Sequence, residues 1–333
     1  AIAVLEDLGV EAAKVFDAEC EMTLGSNTVG QVAANMMESA ATLHLPTTAY
    51  GLDYDFGMFR QAIEQGAQKE KGDRWDGALS PWLVARPEDL CLVPVYGCVR
   101  EETDRHGNYC PKWVDCKFIA GVPWDMPIPG EGGSTVNALR LFRASALSDF
   151  DDELYTNADY VHAIEQKVRL ADVSAFLVPA EIQGAARERV LLQEYFLAAC
   201  AIHDLVRQYK VENDGFEAFP VKVAVHLNGA SPAIAVAELM RVLVDENGVC
   251  WDNAWEITRA TMSFSSFDLV RDALEKWPVS SFEKVLPRHL QIIYELNHRL
   301  LDDVTVRWPG NLERLRTISL FEEGDEKRLL LAH

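Results

Sequence analysis

The stretch that decides the fold opens FPVKVAVHLNGASPAIAVAELMRVLVD (Phe219–Asp245) and closes MSFSSFDLVRDALEKWP (Met262–Pro278). From Val221 to Leu227, apolar residues alternate along the chain, the period of a short buried strand. Asn228-Gly229 then gives a turn signal. Ser231-Pro232 follows as an expected helix cap with proline in the first turn. Ile234, Leu239, Val242 and Leu243 continue one helical face. A strand, a tight turn and a helix make a βα unit, and open α/β sheets carry their chemistry in the loop after such a strand.

Working outward, the N-terminal residues 1–22 read as one helix rich in Ala, Leu and Glu. The helical period recurs at Val32–Leu43, Asn157–Val178, Arg187–Lys210 and Ser280–Arg299. Within Val93–Val122, two strand-like runs flank the polar residues Asp104–Asn108 and predict a β-hairpin. The run Gly130–Gly133 lacks the spacing and the lysine of a phosphate loop and reads as a plain connection.

These segments resemble the α-glucan phosphorylases, the family of glycogen, starch and maltodextrin phosphorylases. Members read close to QLNDTHPALAIPELMRIL where this chain has HLNGASPAIAVAELMRVL (His226–Leu243). They read close to YTNHTVLPEALERWP where it has FSSFDLVRDALEKWP (Phe264–Pro278). QEYF, ELMR, ALEKWP, LPRHL and EEGD recur in order along the chain. The resemblance runs from about Glu6 to His333 and matches the N-terminal half of such an enzyme. It implies one unit over residues 1–333: an α/β fold with a twisted mixed sheet flanked by helices, glycosyltransferase-B-like, preceded by an N-terminal helical extension. The half that carries the pyridoxal phosphate lysine in the family lies outside this match, so no cofactor is expected on this chain.

The scaffold letters match and the polar letters of the family's active-site loops do not. The family's glycine loop, LGNGGLGR, corresponds to Gly25-Ser26-Asn27-Thr28-Val29-Gly30-Gln31, and a β-branched Thr28 tolerates few of the backbone conformations open to glycine. The family's sugar-binding Asp and His in its N-D-T-H segment correspond to Gly229 and Ser231, and its substrate-contacting His to Phe267. The family's Asn-Asp-Asn gate corresponds to Pro179–Gly184, where no amide pair survives. Ser26, Asn27, Thr28, Gly229, Ser231 and Phe267 are therefore expected to be degenerate site positions with no catalytic or cofactor-binding role. This favours a non-catalytic, phosphorylase-like structural or interaction subunit, held in a complex or a homo-oligomer. Two alternatives stay open: the N-terminal part of a divergent α-glucan phosphorylase, and a glucan-binding module without turnover.

Composition is compatible with all three. A formal net charge of −21 argues against nucleic-acid binding, which needs clustered Lys and Arg. No apolar run is long enough to span a bilayer. The seven cysteines are an odd count with no C-x-x-C pair, which fits free thiols in a reducing, intracellular setting, whether cytoplasm or an organelle reached through a removed targeting segment. Cys98, His106, Cys110 and Cys116 lie close in sequence but fit no zinc spacing, so no metal is expected.

Overall fold

The computed structural model describes residues 2–18, 28–56, 58–73, 80–103, 109–146, 172–175, 185–266, 275–324 and 326–332. In chain order the helices are α1 (Ile2–Asp7), α2 (Ala12–Ala18), α3 (Thr28–Thr42), α4 (Ala185–Lys210), α5 (Phe219–Lys222), α6 (Ile234–Arg241), α7 (Trp251–Thr261), α8 (Val279–Val285), α9 (Pro287–Arg307) and α10 (Leu312–Ile318).

The main sheet is mixed, as expected. Strand β1 (Thr48–Leu52) runs parallel to β9 (Val136–Ala146), which is antiparallel to the long β8 (Lys117–Pro129). The far edge of β8 carries β5 (Cys91–Val95) along its first half and β4 (Val84–Ala85) along its second. The hairpin expected within Val93–Val122 is present: β6 (Cys98–Arg100) pairs antiparallel with β7 (Lys112–Val114), closed by a Thr103–Tyr109 bridge. A second hairpin joins β2 (Met58–Glu64) to β3 (Ala67–Asp73). Strand β10 (Val225–Asn228) lies parallel to β11 (Met262–Ser265). Near the C-terminus, β12 (Lys276–Pro278), β14 (Arg328–Leu330) and β13 (Phe321–Glu322) form a small antiparallel sheet.

Helix α4 is the spine of the core. Leu191, Tyr195, Phe196, Ala199, Cys200, Ile202, Val206 and Tyr209 form its buried stripe, the three-to-four spacing of one helical face. Glu188 sits in its first turn, and Arg207 and Lys210 in its last, each with the sign that the helix dipole favours. The stripe packs on β5, β1 and β8 and, on its other flank, on α6. Helix α6 is buried at seven of its eight positions, all but Val236. A charged lattice fastens α4 to the sheet. Arg140 of β9 donates to both Asp125 oxygens at 2.7 and 2.9 Å and to Asp204 of α4 at 2.6 Å. Arg207 and the Tyr50 hydroxyl close on the same Asp204.

Four expectations are corrected. Residues 219–222 are a helical turn, and the strand begins only at Val225. Pro220 stands in the first turn, and the Val223 amide closes on the Phe219 carbonyl at 2.8 Å. Val221, counted on the buried face by alternation, is 88% exposed, whereas Phe219 anchors the turn against Tyr209 and Phe216. Ser231 is not a helix cap: it starts a 3₁₀ turn, Ser231–Ala233, ahead of α6, with no side-chain capping bond. The N-terminal helix is two helices, parted at Gly9, whose φ of 73° is the left-handed conformation that ends helices. The helix read over Ser280–Arg299 breaks at Leu286, because Pro287 restricts the residue before it and restarts the helix as α9. The expected helix at Asn157–Val178 falls outside the described residues apart from 172–175, where Asp172–Ser174 is a 3₁₀ turn. The Pro179–Gly184 loop lies wholly outside them.

Among the described residues, no helix is long and apolar enough to cross a membrane, and no group of three His, Cys, Asp or Glu is arranged to hold a metal ion.

Candidate functional site

The carboxyl ends of β10 and β11 stand side by side, in the register Asn228 opposite Ser265, and the Gly229 amide donates to the Ser265 carbonyl at 2.9 Å. Gly229 turns the chain with φ of 90°, and a Cβ placed on it would meet open space. The turn therefore needs glycine for its backbone conformation and not for close packing. Two residues on, Ser231 is exposed, and its hydroxyl hydrogen-bonds the carboxyl of Glu194 on α4.

Glu194 in turn lies beside Glu275, the residue leading into β12, close enough for each carboxyl to shift the other. Burial raises both, Glu194 well above the usual carboxylate range, and the proximity of Glu275 raises Glu194 further. Oε2 of Glu194 is sealed from solvent. Two such groups hold one proton between them more readily than two charges. Tyr54, after β1, borders the pair; burial and then the Glu194 charge push its phenol up to about 12. On the Glu275 side, the positive charge of Arg187 opposes the upward shift. That guanidinium donates to the Lys276 carbonyl and lies 5.3 Å over the Trp277 ring.

A second polar centre sits deeper and is built from the motif residues of the sequence. Arg241 grips Glu238 through both oxygens, at 2.7 and 2.8 Å, and His289 Nε2 meets Glu238 Oε2 at 2.6 Å. Burial alone would raise the Glu238 carboxyl, but the charge and hydrogen bonds of Arg241, with His289, hold it at about 2. Burial lowers His289, so the ring is neutral and donates from Nε2, which leaves its buried Nδ1 without a partner. The imidazole is clamped edge-on by Tyr195 and Trp113 at 4.7 and 5.5 Å. Arg288, next to it, makes two 2.8 Å bonds to Asp245. Tyr195 belongs to QEYF, Glu238 and Arg241 to ELMR, and Arg288 and His289 to LPRHL. Three separated motifs thus converge on one solvent-excluded cluster, whose placement makes it scaffold.

Of the six positions expected to be degenerate, Gly229 and Ser231 are brought together at the β10 turn. Thr28 is the first residue of α3, which packs on β8 and β9. Ser26, Asn27 and Phe267 lie outside the described residues. The Gly130–Gly133 run is a connection, as expected: Gly130 abuts the Ala41 backbone, where any Cβ would overlap it, and the Glu131 amide donates to Thr42 at 3.0 Å. Glu194 and Glu275, the carboxyls beside Ser231, were not anticipated. The available signal was an acid inside the apolar face of a helix and another just before a buried Trp-Pro pair.

The polar groups gathered beyond the parallel strand ends stand where open α/β sheets carry their ligand sites. The carbohydrate phosphorylase family matches residues 5–333. Glycogen phosphorylase of Synechocystis sp. is 40% identical over 329 residues, covering 99% of this chain and 39% of the relative. The brain form of human glycogen phosphorylase is 40% identical over 334 residues, covering 98% and 39%. The muscle form of Ovis aries is 39% identical, with the same coverage. The chain belongs to the carbohydrate phosphorylase family and spans about two-fifths of the length of these relatives.

Pyridoxal phosphate, which the family resemblance brings with it, does not fit the described residues around the Gly229 turn, residues 267–274 lying outside them. A phosphate needs cations and free amides, and the aldehyde needs an amine. The groups described there are two carboxyls that face each other, a serine bonded to one of them, and an arginine bonded to the Lys276 carbonyl.

Proposed function

We propose that this chain is the N-terminal portion of an α-glucan phosphorylase, a glycosyltransferase of carbohydrate metabolism. In that enzyme the chain supplies the sugar side of the cleft. The reading is carried by the identity of about two residues in five with glycogen phosphorylases across nearly the whole chain. Residues of QEYF, ELMR and LPRHL building one buried cluster give the same scaffold a physical reason to persist. Here Ser231, exposed after the Gly229 turn, offers a hydroxyl that both donates and accepts hydrogen bonds to a neutral sugar.

A second reading follows from the Gly229 turn itself. Gly229 has no side chain to reach a ligand, and the Ser231 hydroxyl is turned onto Glu194. On this reading the chain is a phosphorylase-derived structural subunit without turnover or cofactor, working through a protein partner or a second copy of itself. The gene product that contains this chain, purified from its source, separates the two. Glucose 1-phosphate released from maltodextrin and inorganic phosphate, with pyridoxal phosphate supplied, is the expected result. Absence of turnover, together with a stoichiometric partner in the purified material, transfers the conclusion to the structural reading.

A further inference from the structure

A cluster of two cysteines and a histidine lies apart from the strand-end site and takes no part in the proposed activity. Cys91 on β5 and Cys200 on α4 are both buried, and each thiol shifts the other. His203, one turn along α4 from Cys200, lies close enough to Cys91 for each to shift the other. The sheet explains why the sulfurs meet. Cys91 and Gly121 face each other across the β5–β8 pair, and a Cβ on Gly121 would overlap the Cys200 sulfur. Cross-strand neighbours place their Cβ positions about 5 Å apart. The Cys200 sulfur therefore fills the vacant side-chain space of the residue directly opposite Cys91, within reach of the Cys91 sulfur.

We propose that Cys91 and Cys200 form a peroxide-reactive thiol pair that closes to a disulfide and pins α4 to the sheet. The pair is polarised. The Cys200 hydrogen bond lowers Cys91, against the opposing effect of burial, and His203 lowers it further; burial and the Cys91 neighbour raise Cys200. In the proposed reaction Cys91 acts as the thiolate and Cys200 as the proton-bearing partner. His203 is only half-buried, so the cluster has a route to solvent for an oxidant the size of hydrogen peroxide. In the first step the Cys91 thiolate attacks one peroxide oxygen. An S–O bond forms, the O–O bond breaks, and hydroxide leaves as water with a proton from His203. In the second step the Cys200 sulfur attacks the sulfenic sulfur. The S–S bond forms, the S–OH bond breaks, and the Cys200 proton leaves with the hydroxide as water. Two thiols are oxidised, and one peroxide is reduced to two waters.

The test is peroxide titration of the intact protein, followed by denaturation, alkylation with N-ethylmaleimide and peptide mapping. The expected result is joint loss of Cys91 and Cys200 from the alkylated pool, with a linked peptide lighter by two hydrogens and reopened by dithiothreitol. In C200S, Cys91 becomes a sulfenic acid trapped by dimedone. In His203→Gln, closure slows by about threefold to tenfold, because less thiolate is present. Oxidation of the exposed Cys98, Cys110 and Cys250 while Cys91 and Cys200 stay fully alkylatable overturns the proposal. Independent oxidation of either thiol to sulfinic acid without a linked peptide, or an unchanged rate in His203→Gln, also overturns it. The mapping on unmodified protein decides the matter even where a variant fails to fold.

Discussion

Glu238→Gln lowers the stability of the protein by about 3–5 kcal/mol at neutral pH, the cost typical of removing one partner from a buried ion pair. The size follows from what the substitution leaves behind. Arg241 is nearly buried and points both of its carboxylate-facing nitrogens at Glu238. Its remaining partner, Glu246 at 2.8 Å, is far more exposed and compensates only part of the buried charge. The neutral His289 also loses the acceptor of its Nε2 proton inside a cage of Tyr195 and Trp113. An amide of the same shape accepts one of these donors and presents its own N–H to another. Chemical unfolding at pH 7 measures the loss, and a change below about 1 kcal/mol would place the cluster among interactions that exposed pairs can match.

The same substitution predicts a pH signature. The folded-state pKa of Glu238 is depressed to about 2, so its contribution is present above the unfolded value of about 4.3 and is lost as pH falls between the two. His289, lowered by burial, adds a second loss as pH falls below its ordinary range near 6.5. Wild-type stability therefore falls on acidification through both windows. Glu238→Gln starts lower and is flatter between pH 4 and 2.

How much of this was legible in the sequence depends on the range of the interaction that decides each element. Helix α4 and the β6–β7 hairpin were readable, because periodicity and turn composition act within a few residues. The strand at Val221 was misread, since Val221 and Val223 continue the alternation of Val225 and Leu227 by coincidence while Pro220 starts a helical turn. The three buried motifs were recognisable as scaffold, but nothing in ELMR or LPRHL says that Glu238 and His289 touch. Glu194 was hidden inside QEYF for the same reason. Its meaning comes from Glu275 and Ser231, which only tertiary packing brings to it. Asp to Gly and His to Ser are visible as lost polar groups along the chain, whereas the acid pair beside them is visible only in three dimensions.

That pair carries the opposite pH dependence, and its test is Glu194→Gln. Burial and mutual repulsion raise Glu194 and Glu275, so the folded chain holds a proton that the unfolded chain releases above about pH 4.3. A group raised in the folded state loses its stabilising contribution as pH rises, the reverse of Glu238. Across its window one such proton gives a slope of up to about 1.4 kcal/mol per pH unit. Glu194→Gln keeps the volume, keeps an acceptor for Ser231 and supplies an N–H to the Glu275 carboxylate, so the like-charge term vanishes. Its expected effect at pH 8 is a gain of about 1–3 kcal/mol over the wild type, and near pH 4 the two proteins converge. Glu275→Gln gives the same direction with a smaller gain, because Arg187 already relieves part of the Glu275 charge. The measurement is Tm across pH 4–8 for wild type and both variants. Parallel curves would mean that the two carboxyls titrate as separate, solvated groups and share no proton at the strand end.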